Sequence, residues 1–389
     1  MRGFSRLVVD ATIGVTNAVE VMHHNIVRTP FMFDTPTHEP TIGITGLVYN
    51  SIRGVTRLAG SGIDAVMAVV TSDDIDQPSS SEREAVLAAL NGVVGHHLVD
   101  TNNPLAIRMR LRHGGPLVGQ AGADAVSAAG GKIVLLVHGL GMNDRQWRRK
   151  GHDHGAALAN DLGYSPVYVH YNSGLHISTN GETLAGLLEA LVANWPVPVE
   201  ELVIVGHSMG GLVARSACYY GAVHGHAWPQ TLRKMVFLGT PHHGAPLERG
   251  GNWIDIILGA SPYSAALARV GKVRSAGITD LRYGSLRHED WADGDRFARR
   301  GDRRQPVPLP DSVPCYAIGA TTSRTTDSLK GQLLGDGLVP LDSALGSHKD
   351  PAFVVPFPPS QQRIVYAMGH LDLLSQREVY EQERQWLAA

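Results

Sequence analysis

Two runs that are apolar at every position, Ile133-Val134-Leu135-Leu136-Val137 and Leu202-Val203-Ile204-Val205, constrain this chain more than any other feature. A strand that is apolar on both faces must be covered on both, and helices on either side of a mostly parallel sheet supply that cover. From about Asn103 onward, short apolar runs alternate with helical stretches, which predicts an α/β domain. Strands are expected at Lys132 to His138, Pro166 to Tyr171, Leu202 to Val205, Lys234 to Leu238, Pro314 to Ile318 and Arg363 to Ala367. Helices are expected around 153–161, 182–194, 208–220 and 371–387.

The first hundred residues follow another pattern. Val8, Ala11, Val15, Ala18, Met22 and Ile26 recur at helical spacing, as do Ile44, Val48, Ile52, Val55, Ala59, Ile63, Val66 and Val70. A third stripe, from Glu82 to Leu98, carries Val86, Leu90 and Val94. The expected organisation is therefore a helical N-terminal extension over 1–100 and an α/β domain over 101–389. In the stretch after Pro40 the other face is Ser, Thr and Gly, with Arg53, Arg57 and Asp64 almost its only charges, and a helix whose polar face carries so little charge makes a poor solvated surface. Burial against the same chain, a second copy, or peripheral contact with a lipid surface are the options this leaves.

With 34 Lys+Arg against 36 Asp+Glu, the net charge of -2 gives no global field to attract nucleic acid or an anionic membrane. Cys218 and Cys315 are the two cysteines, too few for a disulfide framework. No apolar run approaches the ~18 residues of a spanning helix, and the N-terminal run is broken too early for a signal-peptide core. The default expectation is a cytoplasmic protein.

After the strand ending at Val205 comes Gly206-His207-Ser208-Met209-Gly210-Gly211, followed by the helical Leu212-Val213-Ala214-Arg215. This is a G-x-S-x-G nucleophile elbow between the strand and helix it requires. The sharp turn strains the serine backbone, and the glycines allow close approach. Ser208 then sits at a helix N-terminus, where amides and dipole favour developing negative charge. Such a serine needs donors for an oxyanion and a base. His138-Gly139-Leu140-Gly141, at an apolar strand end, offers the Leu140 N–H, and the elbow itself offers that of Met209. His138 is expected to shape this loop rather than transfer protons.

Elbow serines find their acid and histidine later in the chain. Gly335-Asp336-Gly337-Leu338-Val339-Pro340 and Gly369-His370-Leu371-Asp372 both fit, each following an expected strand. His348 competes with His370, and Asp342 and Asp372 compete with Asp336. In the favoured assignment Asp336 orients the imidazole, and His370 takes the proton from Ser208 and passes it to the leaving group.

Together with Gly239-Thr240-Pro241-His242-His243-Gly244, these segments resemble the bacterial lipases and esterases of the α/β-hydrolase fold over roughly 105–389. The resemblance implies the triad Ser208, Asp336 and His370, oxyanion donors at Leu140 and Met209, and no cofactor. It implies a serine carboxylic ester hydrolase, a lipase or esterase working through an acyl-enzyme on a lipid-like acyl ester. A phospholipase, a lipid acyltransferase or a glycolipid-anchor deacylase would use the same triad, and a non-catalytic lipid- or partner-binding hydrolase fold is the rival from another class.

Some of these lipases hold calcium through an Asp two residues after the catalytic His. Asp372 matches it, but the second ligand has no match, so no metal is expected. His242 and His243 are read as a structural turn rather than zinc ligands, and Cys218 as a small core residue rather than a nucleophile. The insertion at about 245–310 is expected to form a helical cap. Within it Trp253-Ile254-Asp255-Ile256-Ile257-Leu258, Tyr263, Ala266, Leu267 and Val270 suggest a lid over Ser208, with an ordinary core helix as the alternative. The stretch 282–310, dense in Arg, Asp and Gly, reads as a solvated excursion.

Overall fold

The computed structural model describes residues 81–113, 130–245, 275–292, 301–325 and 335–389. The two N-terminal helical stripes before residue 81 and the apolar stretch 253–270 lie outside the described residues.

The sheet has seven strands: β1 (Arg110–His113), β2 (Lys132–Val137), β3 (Ser165–His170), β4 (Glu201–His207), β5 (Leu232–Leu238), β6 (Cys315–Thr321) and β7 (Gln362–Tyr366). Their order is β1-β3-β2-β4-β5-β6-β7, parallel throughout except for β1, which runs antiparallel to β3. The first described helix is α1 (Ser81–Asp100). Then come α2 (His154–Leu162), α3 (Ile177–Ala193) and α4 (Met209–Val223), followed by the short α5 (Ala276–Asp280) and α6 (Leu341–Ala344) and the C-terminal α7 (Arg377–Ala388).

Alternation along each strand divides the core into two layers. Ile133, Leu135 and Val137 face α3 and α4, among Leu184, Leu188, Leu212 and Val213. Val134 and Leu136 face α2 and α7, among Leu158, Val379 and Trp386. All five residues of the β2 run are fully buried, each contributing about 1.5–3 kcal/mol relative to exposure.

Helix limits follow local chemistry where it exists. Asp153 caps α2 by accepting the Ala156 N–H at 3.0 Å, and Gly163, at φ 73°, ends it in the left-handed conformation. The start of α3 is instead set from far along the chain: Asp280 accepts the Ile177 N–H at 2.8 Å. The expected last helix divides into a 3-10 turn (His370–Leu374) and α7.

One expectation requires correction. The stretch 282–310 is not wholly a solvated excursion, because Leu286 is buried and Arg304 is only 8% exposed. Arg304 Nη1 donates to the buried His242 carbonyl at 3.0 Å, and its guanidinium lies over the Phe353 ring. A buried carbonyl needs a donor, and this arginine provides it. Among the described residues, no helix is long and apolar enough to cross a membrane.

Candidate active site

Parallel strands present their carboxyl ends along one edge of the sheet, and the loops there bring distant residues together. β2 ends into His138-Gly139-Leu140, β4 into Ser208, β5 into Gly239 and β7 into the turn that carries His370. A cleft at this edge is lined by Gly139, Leu140, Met142, His207, Ser208, Leu338, His370 and Leu371.

Ser208 has φ 55° and ψ -127°, a strained conformation for a residue with a side chain, costing about 1–3 kcal/mol. The glycines around it are sterically required. A Cβ on Gly210 would lie 2.1 Å from the Val137 carbonyl oxygen, and one on Gly206 would lie 2.5 Å from Gly211 Cα. The Ser208 N–H donates to the Leu238 carbonyl at 2.9 Å, which pins the elbow to β5.

Asp336 and His370 form a buried pair. His370 Nδ1 donates to Asp336 Oδ2 at 2.6 Å. Asp336 Oδ1 accepts the N–H groups of Leu338 and Val339 at 2.9 and 2.8 Å, and the His370 N–H donates to the Asp336 carbonyl at 3.1 Å. The carboxylate is therefore fixed by three donors, and Nδ1 carries the imidazole proton, leaving Nε2 as the acceptor. The competitors lie elsewhere. His348 packs against His243 and Phe353, with Nδ1 near the Asp350 carbonyl, and Asp342 is exposed on α6.

Asp372 is committed to the protein, accepting from Lys150 Nζ at 2.8 Å and from the Gly369 N–H at 3.1 Å.

Two histidines support the cleft as neutral groups. Burial pushes His138 down to about 4; it stacks on Tyr171, whose hydroxyl donates to the His138 carbonyl at 2.7 Å. Burial, followed by the neighbouring His370, holds His207 well below the ordinary histidine range. His207 Nε2 donates to the His370 carbonyl at 3.3 Å, so the elbow supports the histidine turn directly. In the loop after β2, the Gly141 N–H donates to Ser173 Oγ at 2.8 Å and the Met142 N–H to the Gly139 carbonyl at 3.3 Å. Among the described residues, no acceptor takes the Leu140 N–H. Met209 is the first residue of α4, where backbone N–H groups lack intrahelical acceptors.

Sequence reasoning assigned no role to Gly239 or His207. Gly239 has φ 57°, and a Cβ there would sit 3.2 Å from both Asp336 Oδ2 and His370 Cε1, so a side chain would intrude on the pair. Its sequence signal was the Gly-Thr-Pro-His-His-Gly segment that follows β5.

His242 and His243 serve the turn after β5. His242 Nδ1 accepts from Arg215 Nη1 at 3.2 Å, while His243 Nδ1 accepts from Arg304 Nη2 at 3.3 Å and Nε2 donates to the Gly346 carbonyl at 3.0 Å. Burial holds both below the ordinary histidine range, His243 at about 4. Two arginine guanidiniums beside these rings disfavour a metal cation there. Cys218 Sγ lies 3.8 Å from Met235 Sδ, and burial raises its thiol far above the ordinary value, which is the setting of an inert core cysteine.

The strand order, the antiparallel edge strand and the strained serine between β4 and α4 define an α/β-hydrolase fold. Residues 128–302 match the family described as the PGAP1-like alpha/beta domain. Among solved structures the chain is similar to Bacillus licheniformis lipase BlEst2 in mature form, at 17% identity and TM-score 0.43, covering 66% of this chain and 91% of that one. It is also similar to Aspergillus fumigatus lipase B, at 12% identity and TM-score 0.41, covering 69% and 58%. A third similarity is to EstA from Clostridium botulinum, at 12% identity and TM-score 0.39, covering 69% and 89%. No curated protein matches the chain.

Proposed function

We propose that this protein is a serine carboxylic ester hydrolase of lipase or esterase type that cleaves acyl esters, of lipid type, through an acyl-enzyme on Ser208. The observation that carries the reading is that His370, held by Asp336, lines the same cleft as a serine in strained elbow geometry. In the proposed reaction His370 Nε2 removes the Ser208 proton as Oγ attacks the ester carbonyl. The negative charge that forms on the carbonyl oxygen is met by the Leu140 and Met209 N–H groups. As the tetrahedral intermediate collapses, the C–O bond to the leaving alcohol breaks and His370 returns the proton to it. Water then repeats the sequence and releases the acid. Asp336 keeps the imidazole in the productive tautomer and stabilises it when charged.

The test is hydrolysis of p-nitrophenyl esters from short to long acyl chains by wild type and Ser208→Ala. Loss of turnover in the variant supports the mechanism, and a rate maximum at long chains supports a lipid-type substrate. Turnover retained in the variant would refute it. Adding an alcohol acceptor distinguishes hydrolysis from acyl transfer by the product formed.

A further inference from the structure

The helix α1 lies directly on the loop that offers Leu140. A Cβ on Gly92 would fall 2.7 Å from Gly141 Cα and 2.9 Å from Gly141 N, both backbone atoms. The helix therefore reaches the loop through a glycine notch, backbone against backbone. Gly95, one turn on, is closed by a side chain instead: a Cβ there would overlap the Asn172 side chain, whose Nδ2 donates to the Gly95 carbonyl at 3.0 Å. Between the two glycines the helix kinks at Val94, which has φ -127° and ψ 15°.

Both sides of this contact are anchored. Ser275 Oγ donates to the Gly92 carbonyl at 2.6 Å, and Ser173, beside Asn172, accepts the Gly141 N–H. A Cβ on Gly174 would come within 2.0 Å of the Asn91 carbonyl oxygen, so the 172–174 loop is pressed onto α1 as well. Fully buried Asn91 accepts the Ile107 N–H at 2.9 Å and donates to the Leu105 carbonyl at 2.9 Å, tying α1 to the segment that leads into β1. At the start of α1, Glu84 pairs with Arg112 of β1 at 3.4 Å. The same guanidinium contacts Asp144, just beyond the Leu140 loop, at 3.1 Å.

We infer that α1 is the positioning element of the oxyanion loop, with Gly92 the residue through which it sets the Leu140 N–H. The inference rests on the ester hydrolase reading. An oxyanion donor acts only within a few tenths of an ångström of its position, and a displacement near 1 Å costs on the order of 100-fold in rate. The Gly92 contact lies one residue from that donor. Gly92 touches no reacting atom, so its effect should appear in transition-state binding rather than ground-state binding.

The experiment compares wild type, Gly92→Ala, Gly186→Ala and Ser208→Ala with a p-nitrophenyl ester, counting active sites by phosphonate titration. Gly186 is on α3 with open space around it, and serves as the helix control. Gly92→Ala should lower kcat per titrated site by about 10-fold or more with KM within about 2-fold. An alkyl boronic acid, which mimics the tetrahedral intermediate, should weaken by the same factor as kcat/KM, and Gly186→Ala should match wild type. A folded Gly92→Ala protein with unchanged kcat and boronic acid affinity overturns the inference. If that variant fails to fold, Ser275→Ala, which removes the hydrogen bond that anchors the Gly92 carbonyl together with a cap of α5, is read by the same two measurements: a fall in kcat matched in boronic acid affinity supports the inference, and a folded protein unchanged in both overturns it. Wild type without Ser208-dependent turnover would instead refute the hydrolase reading, and the inference with it.

Discussion

Replacing Asp336 by Asn changes one atom, and its consequences can be worked through from the site. The side chain makes three hydrogen bonds: Oδ1 accepts two backbone N–H groups, and Oδ2 accepts His370 Nδ1–H. An asparagine has one acceptor oxygen and one donor NH2. Directing the NH2 to the backbone would set a donor against two donors, so the oxygen should keep the Leu338 and Val339 amides. The NH2 then faces His370 Nδ1, which must turn from donor to acceptor. That moves the ring proton to Nε2, and the base can no longer take a proton from Ser208. Loss of the correct tautomer and of the charge that stabilises the imidazolium should lower kcat by about 10³–10⁴-fold, or roughly 4–5.5 kcal/mol. KM should stay within about 3-fold, since no substrate contact is removed. Steady-state hydrolysis of a p-nitrophenyl ester, normalised to folded protein, measures this. A rate within 10-fold of wild type would refute the assignment of Asp336.

His154 and Glu383 are both fully buried and paired, and His154 Nε2 also donates to the Leu373 carbonyl at 3.1 Å, bracing the turn that follows His370. Burial alone would depress the His154 imidazolium, but the Glu383 charge and hydrogen bond outweigh it and raise its pKa. A raised folded value stabilises fully below the unfolded value of about 6.5 and is lost as pH rises through the folded value. Urea unfolding should therefore show wild type's advantage over His154→Gln/Glu383→Gln shrinking as pH rises past that value, and a growing advantage would contradict the pairing. His154→Gln alone, which strands the carboxylate, should cost about 3–5 kcal/mol. Because Lys150 already neutralises Asp372, millimolar calcium or EDTA should leave Tm and kcat unchanged, and a calcium-dependent rise in Tm would contradict this. The pair itself is exposed, so Lys150→Ala should cost under about 1 kcal/mol by the same unfolding assay.

What was legible in the sequence was what local pattern encodes. Six of the seven strands announced themselves as short apolar runs, most plainly in β2, where Ile133 to Val137 are buried on both faces, and least in β7, where Val365 alone is buried. β1 did not: Arg110-Leu111-Arg112-His113 is a short, charged edge strand in which the Arg112 guanidinium meets Glu84 and Asp144. Helix α3 was expected to begin later than Ile177, because its opening turn is polar and its cap is Asp280, about a hundred residues away. The glycine-bounded segments around Ser208, Asp336 and His370 were readable since each needs small residues in sequence. The contacts that surround them were not. Lys150 with Asp372, His154 with Glu383 and Gly92 on Gly141 are meetings of distant segments, and no local periodicity marks them.

The proposed chemistry turns on Ser208 as the nucleophile. The direct measurement is reaction with a p-nitrophenyl alkylphosphonate, following p-nitrophenol release, residual ester hydrolysis and the mass of the Ser208 peptide. Wild type should release one equivalent, lose activity in proportion, and carry the phosphonyl group on Ser208, while Ser208→Ala should remain unmodified. Hydrolysis that survives complete modification, or an adduct on another residue that tracks the loss of activity, would contradict the assignment of Ser208.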